Sequence, residues 1–139
     1  MELVSGTVSA KQMLEEIDFM TGLLRRHGAQ AVVIEHGWGS ELLPERLWQP
    51  HQVTIDTVPE FVRDSMNSGV FTPGKADLIM RSAQPAAAIR FCHESDVHVQ
   101  IDVPDLITEI MQHWQTLQYD GYHRESDQDT WVRVGDAVS

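Results

Sequence analysis

The chain is poor in cysteine, in basic residues and in long apolar runs, and each shortage excludes something. Its single cysteine, Cys92, cannot form an intramolecular disulfide and suits a reducing compartment, so the cytoplasm is the expected location. No stretch approaches the ~18 consecutive apolar residues of a membrane-spanning helix. The opening MELVSGTVSAKQ lacks the basic and apolar regions of a secretory signal. Ten Lys and Arg stand against 21 Asp and Glu, giving a net charge of −11. The acids run the whole length, and no basic patch interrupts them. A nucleic-acid binder needs cations to displace condensed counterions, so nucleic acid and membrane both drop out as expected partners. A basic protein partner is electrostatically matched, although acidity also serves plain solubility.

What is there suffices for one core. Apolar residues make up 42% of the 139 residues, enough for an ordinary domain without disulfide or metal staples. Ser9 and Gln12 have capping-box spacing ahead of Met13, Ile17, Met20 and Leu24, which share one helical face. Arg25, Arg26 and His27 suit the last turn, and Gly28 the stop. A strand is expected over Ala31–Glu35, then a loop at HGWGS, His36–Ser40. Leu42–Pro50 reads as an irregular turn between prolines, and Val53–Asp56 as a short strand. Thr57 and Glu60 offer a second capping box for a helix ending near Asn67, with Gly69 as its stop. From Asp77 the pattern turns to period two: DLIMRS, AAIRFCH and VHVQID predict a three-stranded meander. Asp102 should cap a final helix whose buried stripe is Leu106, Ile107, Ile110, Trp114 and Leu117.

The order α-β-β-α-β-β-β-α predicts an α+β two-layer domain, an antiparallel-rich sheet with helices packed on one face. Residues 1–119 form that single domain. Residues 120–139 read as an acidic linker, with Trp131–Val134 able to return as an edge strand of the same domain.

FCHESDVHVQ, Phe91–Gln100, concentrates metal- and proton-handling side chains. Parity separates them. If Ile89, Phe91, Val99 and Ile101 share the inner face, a three-residue loop Glu94–Asp96 sets Phe91 opposite Val99 and His93 opposite Val97. Cys92 then lies opposite His98 on the outer face. Two ligands fall short of the four of a structural zinc site, with Glu94 able to supply a third. Neither a metal nor any other cofactor is therefore expected. EHGWGS lacks the lysine and hydroxyl of a phosphate loop. A tight loop with a partly buried Trp38 is expected instead; held between glycines with Glu35, Glu41 and Glu45 nearby, Trp38 is also the candidate partner anchor, in competition with a buried structural role. Glu15, Glu16, Asp105, Glu109 and His113 read as solvated helix residues.

No catalytic constellation marks the chain as an enzyme. By exclusion it reads as an acidic cytoplasmic binding protein that covers a basic protein partner, in the manner of an immunity protein or a small secretion chaperone. The alternative is a small metal- or thiol-dependent enzyme centred on Cys92 and His98.

Overall fold

The first helix, α1 (Ala10–Arg26), starts where the capping spacing places it. Gln12 N donates to Ser9 Oγ at 3.1 Å, and Ser9 N donates to Gln12 Oε1 at 2.8 Å. The computed structural model describes residues 1–136. Beyond α1 it contains α2 (Val58–Asn67), α3 (Pro104–Thr116) and eight strands. These are β1 (Glu2–Ser5), β2 (Ala31–His36), β3 (His51–Thr54), β4 (Leu78–Ala83), β5 (Ala86–Phe91), β6 (Val97–Ile101), β7 (Gly121–Arg124) and β8 (Val132–Arg133). All pair antiparallel in one sheet of order β3-β2-β4-β5-β6-β1-β7-β8. The fold is α+β, a sheet with helices.

Alternation along the strands makes one face of the sheet apolar. Val32, Ile34, Leu78, Met80, Ile89, Phe91, Val97 and Val99 are buried there with Met13, Ile17, Met20 and Leu24 of α1. Val58 and Val62 of α2 join the same core, as do Leu106, Ile110 and Trp114 of α3. Among the described residues the opposite face carries no helix. The ladders place Glu35, Ile79, Arg90, His98, Val4 and Tyr122 side by side across it.

Three strands lie outside the expected order. β1 is only ELVS, and it pairs with β6 and β7, where Glu2 meets Gln100 and Arg124 from the far end of the chain. Nothing local identifies such a strand. β7 occupies the start of the expected acidic linker, and the two-residue β8 lies within 131–134 and pairs with β7. The segment Gly121–Arg124 is therefore sheet; residues 137–139 lie outside the described residues.

Two expected cap bonds are replaced. Thr57 stands at the expected N-cap of α2, but its Oγ1 donates back to Thr54 O at 2.8 Å and makes no cap bond, because a short 3-10 turn, Ile55–Thr57, feeds the helix. Asp102 pairs with the α-amino group of Met1, leaving Val103 as the N-cap of α3 without a side-chain bond. The buried stripe of α3 stops at Trp114. Leu117 lies past the helix end and is 42% exposed.

Candidate functional site

Two places collect the chemistry-bearing side chains: the loop after β2 and the hairpin between β5 and β6. In the first, β2 ends at His36 and the backbone is clamped from both sides. Gly37 N donates to Asp77 O (3.1 Å), Asp77 N to Trp38 O (2.7 Å) and Trp48 N to His36 O (2.7 Å). The Trp48 ring lies directly on Gly37, where any Cβ would overlap it. Trp48 itself adopts φ 64, a left-handed backbone that a bulky residue holds only when its surroundings enforce it. Above this clamp Trp38 and Leu43 are each 60% exposed and Trp48 is 37% exposed. The two indoles meet edge to face, ring centroids 6.1 Å apart. Glu41 and Glu45 are exposed on the same loop. Glu41 Oε2 reaches back against Gly69 at the end of α2. Glu35 is turned onto the helix-free face of the sheet, 3.7 Å from Arg81 Nη2, so its charge is engaged there.

His36 anchors this corner from below. Its ring is buried against Phe61 and Phe71, and Nε2 is 3.2 Å from Ser65 Oγ. Burial, then the neighbouring His51, holds its pKa below the ordinary 6.5. As pH falls, the unfolded chain takes up this proton first. The stability that neutral His36 contributes is therefore complete above about pH 6.5 and is lost as pH drops through the lower folded value. The stability advantage of wild type over His36→Phe should shrink from about pH 7.5 to about pH 5. Urea unfolding at both pH values measures it, and a constant difference would show that His36 is not buried neutral.

At the second place the register differs from expectation by two residues. Arg90, not Cys92, stands opposite His98; Phe91 pairs with Val97 and Ile89 with Val99. The faces are unchanged, because a shift of two preserves parity. The loop is longer because its backbone is tied elsewhere. Cys92 N donates to Asp96 O (2.9 Å) and Ser95 N to Cys92 O (3.0 Å), while Asp77 Oδ1 takes the His93 N–H at 2.7 Å. His93, expected to face Val97, thus leaves the ladder, and its Nδ1 lies 2.7 Å from the same Asp77 oxygen. His98 Nε2 turns to Asp96 Oδ1 at 2.9 Å. Glu94, the expected third ligand, lies near His93 Nε2 at 3.9 Å and not with Cys92 and His98.

Known protein families, characterised proteins and solved structures offer no match to this chain. Among the described residues no helix is long and apolar enough to cross a membrane. Cys92 is 3% exposed, and burial pushes its thiol up to about 11 against an opposing hydrogen bond from the Glu94 backbone. A nucleophile requires the thiolate, so a thiol held protonated at neutral pH gives little support to thiol catalysis.

A site the sequence did not announce joins α1 to α3. Glu16, expected on a solvated face, is fully buried. It accepts the Trp114 indole N–H at 2.6 Å and meets His113 Nε2 in a second, short contact. Phe19 stacks on the His113 ring at 3.6 Å. Glu109, in contrast, lies at the surface, with His27 Nε2 at 2.5 Å and Arg26 at 3.3 Å holding its carboxyl below the ordinary value. The only early trace of Glu16's role was its place between Met13, Ile17 and Met20 on the helical wheel.

Proposed function

We propose that this protein is a non-catalytic binding protein of a reducing, cytoplasmic compartment that covers a basic protein partner through the Trp38 corner. The observation that carries the reading is the exposure of Trp38, Leu43 and Trp48 on one clamped loop. Large apolar side chains held out in water cost solvation free energy that folding alone does not repay, and such patches are where proteins meet partners. Tryptophan is the side chain most enriched among binding hot spots. The clamp matters as much as the exposure. A loop fixed beforehand loses little conformational entropy on binding. The charge of −11, with Glu41 and Glu45 on the same loop, favours a cationic surface opposite.

The test is capture from the native host with wild type and Trp38→Ala, then association kinetics of the recovered partner at low and physiological salt. Trp38→Ala should raise the dissociation rate by about 30-fold, the equivalent of a ~2 kcal/mol hot spot. Association should slow with added salt, because exposed charges are screened beyond ~8–10 Å at physiological ionic strength. An acidic partner, salt-indifferent association or an unchanged dissociation rate would each refute the reading.

A further inference from the structure

The buried carboxyl of Asp77 is only half satisfied. Its side chain has no exposed surface, and while Oδ1 serves His93, Oδ2 has no hydrogen-bond partner among the described residues. Burying an acid with an unused oxygen is costly, and a buried polar atom without a partner points to something that completes its shell. Two further donors converge here. Asp77, Cys92 and His93 each offer a ligand atom, all within 4.8 Å of one another, and Cys92 Sγ is 3.8 Å from His93 Nδ1. We propose that Asp77, Cys92 and His93 form a binding site for one divalent cation of the zinc class.

The donor set selects that class. Sulfur with imidazole suits a borderline-soft ion and disfavours magnesium or calcium, which want oxygen alone. On binding, the Cys92 S–H proton leaves to solvent as the metal–sulfur bond forms, and the His93 Nδ1 proton that faces Asp77 Oδ1 at 2.7 Å is given up while Nε2 takes or keeps one from solvent, freeing the Nδ1 lone pair for the cation. Three protein ligands leave the fourth position of a tetrahedral ion open. His93, with 38% of its side chain exposed, gives a route of entry. The site is rigid where it must be: Asp77 is fixed through its backbone to Trp38 and Gly37. Cys92, Asp96 and His98 form a second group of three sharing the same sulfur. There Asp96 and His98 satisfy each other at 2.9 Å and neither is fully buried, so that group has no unmet demand.

Cobalt titration of the chelator-treated full-length protein tests the site, followed by competition between the protein and a chromophoric chelator for zinc. One equivalent of cobalt should produce a thiolate-to-cobalt charge-transfer band in the near ultraviolet. Cys92→Ser should abolish the band. His93→Gln should weaken zinc binding by about 100-fold or more, the upper end of what even an outer-shell change costs. His98→Gln should leave both readouts unchanged. Far-ultraviolet circular dichroism checks each variant's fold, and His93→Gln, at a half-exposed position, keeps the test open if Cys92→Ser misfolds. Absence of the band in wild type would overturn the proposal. So would a band that survives His93→Gln but is lost in His98→Gln, because the cation would then belong to the second group.

Discussion

Trp114→Ala is expected to lower the free energy of unfolding by about 3–5 kcal/mol, the range for emptying a fully buried tryptophan site. Trp114 has no exposed surface and stands where α3 meets both α1 and the sheet. The Gly121 backbone of β7 packs so closely on its ring that an added Cβ would lie 2.9 Å from Cε3. Tyr119 N donates to its carbonyl at 2.9 Å. Truncation therefore opens a cavity lined by three elements that cannot all move in. It also strips Glu16 Oε1 of the indole N–H that it accepts at 2.6 Å. Ile110→Ala, one turn earlier on the same stripe, should cost about 2–5 kcal/mol by the cavity alone. Denaturant unfolding monitored by circular dichroism measures both. A shift within about 0.5 kcal/mol for either, the size of a surface substitution, would mean that α3 does not bury this face.

Glu16→Ala should destabilise by roughly 2–4 kcal/mol, from an orphaned buried donor and the space left behind. The indole N–H of Trp114 loses its acceptor and, being fully buried, cannot turn to water. His113, with 19% of its side chain exposed, recovers part of its loss. Glu16→Gln separates charge from hydrogen bonding. Its amide oxygen still accepts from Trp114, and its amide N–H meets His113 Nε2 if the imidazole proton moves to Nδ1. The Gln variant should therefore recover most of the stability that Ala loses. A double-mutant cycle of Glu16→Gln with His113→Ala would isolate the remaining term. Equal losses for Ala and Gln would place the effect in the carboxylate charge and not in the hydrogen bond to Trp114.

These two experiments probe contacts that lie far apart in the chain, and that distance divides what could be read beforehand from what could not. The helices, the meander and their inward faces follow from the sequence because each rests on a local period. The Ser9–Gln12 box, the Met13–Ile17–Met20–Leu24 stripe and the alternation of Ile89, Phe91, Val97 and Val99 are properties of neighbours. The loop at His36–Ser40 also follows from a local cause, two glycines flanking one tryptophan, but a tight loop of that kind points to a partly buried ring, and Trp38 is 60% exposed.

Tertiary structure decided the rest. Parity fixes which face a strand buries but is blind to a shift of two residues; Arg90 stands opposite His98 because the loop closes on itself through Cys92 and Asp96 while Asp77 captures the His93 N–H. That capture spans the β4–β5 hairpin and leaves no periodic mark. β1 is too short to announce itself, and it is a strand because β6 and β7 supply partners on both sides. Glu16 follows the same logic: a carboxyl on an apolar stripe looks misplaced until Trp114 and His113, nearly a hundred positions later, present their donors to it. Local sequence governs backbone propensity and which side faces inward, whereas buried polar groups are placed by whichever distant partner satisfies them.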